Sequence, residues 1–146
     1  HGIGIACHFS FGAHVAHAFE VSVEDERLLI HRAVCVADVG RAVNPLGVEA
    51  QLMGGTIDGI STALRLQVSV RGGQVQQKTF SDYPLLAMAD APDKVEVRII
   101  ESSLDPVDAY EVAIASVAPA LANAIHAATT VRIRKLPLLP ELMRML

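Results

Sequence analysis

At 146 residues, with 51% apolar side chains, 4% aromatics and no tryptophan, the chain has the composition of one folded domain built on Ala, Val, Ile and Leu, and is too apolar for a disordered segment. A formal charge of −4 excludes the basic footprint of a nucleic-acid binder. No uninterrupted apolar run reaches the roughly 18–20 residues that span a bilayer, and no signal peptide is visible. Because the chain opens on His1 with residues that already look like strand, we expect a piece of a longer protein, with 1–146 a single domain.

Residues 2–9 (G-I-G-I-A-C-H-F) alternate small and apolar side chains and predict a strand. After a turn at 10–12, residues 13–23 predict a second strand, with Phe19, Val21 and Val23 on one face. The charged tip Glu24-Asp25-Glu26-Arg27 reverses the chain, and 28–38 returns as a strand rich in β-branched residues. A helix is predicted next, to Leu64. Asn44 suits the N-cap, Pro45 the first helical position, and Val48, Leu52, Ile57, Ile60 and Leu64 follow near helical spacing. Gly54, Gly55 and Gly59 interrupt it, each costing about 1 kcal/mol relative to Ala. Such a helix needs a close neighbour at its backbone, either another element or a ligand.

Farther on, Gly72-Gly73 between two alternating runs predicts a hairpin. Residues 79–94 carry two prolines and no clean period and read as a long ordered loop; 95–100 (V-E-V-R-I-I) reads as a strand with Val95, Val97 and Ile99 on one side. A second helix is expected over about 116–129, with Pro119 in its first turn and an apolar stripe at Leu121, Ala124, Ile125 and Ala128. A short basic strand at 131–136 and a proline-flanked tail close the chain. The sum is an α+β fold in two layers, a mixed and mostly antiparallel sheet carrying two main helices.

Taken as residues alone, the chemistry is sparse. His14 and His17 lie three apart in a strand and so point to opposite faces, and the other histidines are scattered. Cys7 and Cys35 sit in apolar strand-like runs, where buried thiols are expected rather than a zinc site. The helix start at Asn44-Pro45 is either an anion site or an ordinary surface cap. Gln51 by itself reads as a polar residue on a solvated helix face. Asp82 and Tyr83 read as turn residues that anchor their loop, and the positive charge of Arg132, Arg134 and Lys135 complements the end of the preceding helix.

Five stretches in order, H-F-S-F-G at His8, D-V-G-R-A-V-N-P with V-E-A-Q and the paired glycines, F-S-D-Y-P, A-P-A-L-A-N-A-I, and R-I-R-K-L-P, resemble the molybdenum hydroxylases of the xanthine dehydrogenase and aldehyde oxidase family. The likeness is strongest to isoquinoline 1-oxidoreductase-like beta subunits. It implies a C-terminal molybdopterin-binding domain of a large subunit, with Gln51 contacting the pterin and Asn44, Gly54 and Gly55 beside it. Met53 stands where the family often has an acidic residue. The family's catalytic glutamate, a general base for attack of a water-derived oxygen on an electron-poor carbon, falls on Glu111. Around it Tyr110, Val112 and Ala113 replace the family's Gly, Pro and Gly, so the loop has less backbone freedom. The F-S-D-Y-P loop would border the substrate path.

The implied cofactor is molybdopterin in its cytosine dinucleotide form, with no metal ligand from the protein and no cofactor held by the isolated chain. The implied partners are the upstream molybdenum domain, a small [2Fe–2S] subunit, and an N-heteroaromatic or aldehyde substrate. The competing expectations are a non-catalytic domain serving assembly, and a small-molecule binding module using the glycine-faced helix.

Overall fold

The computed structural model describes residues 1–109 and 111–146. Three antiparallel strands come first: β1 (Gly2–Ser10), β2 (Ala13–Glu24) and β3 (Arg27–Asp38). The two turns between them place Phe11 and Gly12 (φ 52° and 82°), then Asp25 and Glu26 (φ 48° and 61°), in the left-handed region. Paired left-handed residues give the two-residue turn whose twist matches that of the flanking strands. A fourth strand, β6 (Lys94–Ile99), joins β3 in parallel, for the order β1-β2-β3-β6. A parallel pair requires a crossover. Here α1 (Pro45–Leu64) supplies it, followed by an arm carrying the minimal hairpin β4 (Val70–Arg71) and β5 (Gln74–Val75).

Alternate residues of the strands, among them Val15, Phe19 and Val21 of β2 and Ala33, Cys35 and Ala37 of β3, are buried. They form one layer, and α1, α2 (Val112–Ala115), α3 (Val117–Thr129) and α4 (Leu138–Met145) supply the other. The small residues of β1 explain how closely α3 approaches. A Cβ at Gly2 or Gly4 would run into the α3 backbone at Ala120, Ala124 and Ala128, so that helix rests directly on the strand.

The α+β, two-layer expectation holds, with differences of detail. Residues 131–134 form no strand; they lead into α4, whose Leu138 and Leu142 are buried in the core. The tail is therefore helical, because Leu138 and Leu142 lie one turn apart and have an apolar surface to meet. Cys7 is exposed while Cys35 is buried, since β1 turns Cys7 to the side away from the helices. Val112–Thr129 does have the length and apolarity of a membrane span. It breaks at Ser116 between α2 and α3, and Val117, Ala120, Leu121, Ala124 and Ile125 are sealed inside the domain, as in the core helix of a packed layer.

Among the described residues, no helix covers the other face of the sheet. Ile3, Ile5 and Phe9 stand there 65%, 60% and 60% exposed, and Phe80 and Met88 on the crossover arm are bare as well. The accessible surface is 8713 Å², against about 7,200 Å² for a compact monomer of this mass. Apolar surface of this kind drives association. Light scattering on the isolated chain is expected to show an average mass that climbs above the monomer with concentration; a strict monomer throughout would mean that these side chains do not act as a contact face.

Candidate functional site

The sequence between β3 and α1 folds tightly on itself. Gly40 (φ 69°) donates its N–H to Asp38 Oδ1 at 3.0 Å, and a Cβ there would strike the Asp105 carbonyl. Arg41 N donates to Leu104 O at 2.9 Å. This turn delivers Asn44 to the N-cap of α1, where its Oδ1 accepts from Gly47 N at 3.1 Å, and Pro45 opens the helix as expected. Gly40, Arg41, Ala42 and Pro45 with residues 99–102 line a hollow at that helix start.

The three glycines of α1 then separate by environment. Gly59 lies against Val117 and Gly55 against Ala113, whose Cβ would be 3.0 Å from a Cβ built at Gly55. Both therefore serve the packing of α1 on the 112–117 segment. Gly54 is different: among the described residues no neighbouring element lies within 4 Å of where its Cβ would be, and the residue is exposed. Asn44, Gln51 and Met53 are exposed too. The side of α1 bearing Gln51 and Gly54 is thus open to the outside of the domain.

Glu111 stands at the start of α2, exposed, with its carbonyl accepting from Ile114 N and its side chain making no capping hydrogen bond. Because Ala113 packs on Gly55, the Glu111 end of α2 is brought against the middle of α1. Tyr110 lies outside the described residues. In the arm, Asp82 closes a short 3-10 turn over Phe80–Asp82: its carboxylate accepts from Lys78 N, Thr79 N and the Thr79 hydroxyl. The Lys78 backbone N–H first, then the Thr79 contacts, hold this carboxyl below its ordinary range. Anchoring the loop accounts for Asp82 in full.

Sequence reasoning passed over a buried polar cluster directly beneath this region. His17, 1% exposed, reaches Thr56 Oγ1 with Nε2 at 2.9 Å and Ser116 Oγ with Nδ1 at 2.8 Å. Thr56 donates its hydroxyl proton to Leu52 O at 2.7 Å, so it can only accept from His17. The ring is therefore the Nε2–H tautomer, with Nδ1 accepting from Ser116. Strand alternation with Val15 and Phe19 does signal that His17 points inward; its two partners, from α1 and the α2–α3 junction, carry no local signature. Burial pushes the His17 pKa down to about 4. Nearby, burial pushes the Cys35 thiol up to about 11, which keeps it protonated and unreactive.

An α+β domain with one open, glycine-bearing helix face beside an exposed carboxylate is the setting in which comparison with known proteins becomes informative. The profile of the molybdopterin cofactor-binding domain matches residues 4–92, and the chain belongs to that family. Asn44, Gln51, Gly54 and Gly55 lie inside the matched span and Glu111 beyond it. Isoquinoline 1-oxidoreductase subunit beta of Brevundimonas diminuta is 35% identical over 145 residues, 98% of this chain and 18% of that one. The xanthine dehydrogenase molybdenum-binding subunit of Escherichia coli O157:H7 is 35% identical over 123 residues, 79% of this chain and 16% of that one. Among solved structures, quinoline 2-oxidoreductase from Pseudomonas putida 86 superposes with a TM-score of 0.80 at 26% identity, covering 90% of this chain and 18% of that chain. The chain thus spans less than a fifth of the length of these relatives.

Proposed function

We propose that the chain is the C-terminal molybdopterin-binding domain of a large subunit that hydroxylates N-heteroaromatic compounds or aldehydes with water as the oxygen source. The observation that carries this reading is Gly54. A mid-helix glycine costs about 1 kcal/mol, and among the described residues no neighbouring element uses the space it leaves. That space leaves the backbone accessible to a group from outside the domain. The exposed Gln51 amide, one turn away, offers a donor and an acceptor to the same visitor. A flat, hydrogen-bonding pterin fits such a surface. When bound, the molybdenum cofactor supplies the two-electron redox chemistry.

The chain's own contribution is positional. Gln51 would hydrogen-bond the pterin, Gly54 would admit it, and Gly55 would keep α1 seated on Ala113. Asn44 caps the helix start that would face the anionic end of a cytosine dinucleotide. Glu111 would take the proton from the water-derived oxygen as that oxygen attacks the electron-poor carbon. General-base work asks for a carboxylate shielded from water, and Glu111 is exposed, so that shielding would come from the upstream molybdenum domain. Electrons would leave through a small [2Fe–2S] subunit.

A substitution at Gly54 separates this role from a structural one. In the isolated chain Gly54→Leu should be tolerated, with stability unchanged or raised by up to about 1 kcal/mol through helix propensity. In the complete subunit the same change should strip molybdenum from the purified protein, read by elemental analysis. A variant subunit with full metal content would remove the basis of the proposal. The isolated chain is expected to carry no molybdenum at all, because half a site cannot hold the cofactor in register. A second reading, a family member that keeps the fold for subunit assembly without catalysis, is favoured by Ala113 packing where the family has glycine and by the exposure of Glu111.

A further inference from the structure

The sheet edge at the start of β1 holds a cluster unrelated to the α1 surface. Pairing of β2 with β3 runs Glu20 to Arg32 and then Val21 to Ile30, so His31 is the extra residue of a bulge. Bulges re-aim side chains, and here the His31 ring stacks on that of His1 with centroids 4.9 Å apart. Ser22, 3% exposed, lies among them with its Oγ 2.9 Å from Glu24 Oε1 and 2.8 Å from His31 Nε2. A carboxylate only accepts, so the Ser22 proton goes to Glu24 and Ser22 accepts from His31 Nε2–H. His31 Nδ1, the ring nitrogen that Ser22 does not engage, lies 3.9 Å from Asp93 Oδ2. On the other side, His1 Nδ1 is 3.9 Å from Glu20 Oε1. One ligand atom from each of His1, Glu24 and His31 falls within 4.8 Å of the other two.

We propose that His1, Glu24 and His31 form a binding site for a divalent transition-metal ion, Zn²⁺ or a neighbour such as Ni²⁺ or Cu²⁺. Two imidazoles and a carboxylate are the donor set these ions take, whereas Mg²⁺ and Ca²⁺ ask for oxygen alone. The buried Ser22 hydroxyl orients two of the three ligands before a metal arrives, the service that outer-shell groups give in metal sites. His1 and Glu24 are exposed, so the ligands can close on an ion without disturbing the core. A bound ion would tie the start of β1 to the β2–β3 hairpin.

The test is a calorimetric titration of the full 146-residue chain with ZnCl₂ at neutral pH, with Co²⁺ as a spectroscopic probe. The expected result is one ion per chain and a visible Co²⁺ absorption of a low-coordinate site. His31→Ala and Glu24→Gln should each abolish both signals, with circular dichroism confirming the fold. Ser22→Ala should weaken binding by about 10-fold to 100-fold. An N-acetylated chain and the doubly substituted His8→Ala/His14→Ala chain should bind as before. Absence of binding at millimolar metal, binding undiminished in both His31→Ala and Glu24→Gln, or binding lost on N-acetylation would each overturn the site.

Discussion

Replacing Glu111 by Gln in the complete enzyme is expected to lower turnover by about 10²-fold to 10⁴-fold, the usual worth of a positioned general base. Glutamine keeps the shape and cannot take the proton. Because Glu111 is exposed in this chain and makes no capping hydrogen bond, the same change should leave the melting temperature of the isolated chain unmoved. The loss should fall in kcat rather than in KM, since the carboxylate would act on the reacting proton and not on substrate affinity. Wild-type turnover in the variant would mean that Glu111 is not the base, and the assembly reading would gain. Loss of stability together with activity would instead mark Glu111 as structural.

His17→Ala should strongly destabilise the domain itself. It leaves a cavity, strands the buried Ser116 hydroxyl and removes the donor to Thr56 Oγ1, which keeps its bond to Leu52 O; the expected cost is about 3–5 kcal/mol. The pH dependence follows from the same burial. Folding lowers the His17 pKa from 6.5 to about 4, so between those values the unfolded chain binds a proton that the folded one rejects. Stability from this group is complete above pH 6.5, declines as pH falls, and is gone near pH 4, a total of about 3 kcal/mol. Urea unfolding of the wild type at several pH values should show this decline, and His17→Ala should lack it. A wild-type midpoint that is flat across the interval would show that the ring does not stay neutral in the fold. Its position matters beyond stability. Thr56 lies two residues past Gly54 and Ser116 five past Glu111, so His17 fixes the open face of α1 relative to the segment that carries the carboxylate.

Much of the architecture follows from local chemistry written in the sequence. Alternation marks β1, β2 and β3, the Asn44-Pro45 cap starts α1, and Gly72-Gly73 turns the small hairpin (φ 56° and 76°). These are decided within a few residues, where periodicity and backbone preference act without help from the rest of the chain. The ordered motifs from His8 to Pro137 marked the family by the same local means, since they resemble it in residue type and order.

What only the tertiary structure decided is the meaning of residues that look alike in the string. Gly54, Gly55 and Gly59 are three glycines of one helix, yet two meet Ala113 and Val117 and the third meets no neighbouring element among the described residues. The leucines of α4 read as tail until a core is there to receive them. His17 becomes one post of a buried network because Thr56 and Ser116, 39 and 99 residues away, arrive at its two nitrogens. Periodicity reports which way a side chain points; what it meets is set by long-range packing, which no short window of sequence contains.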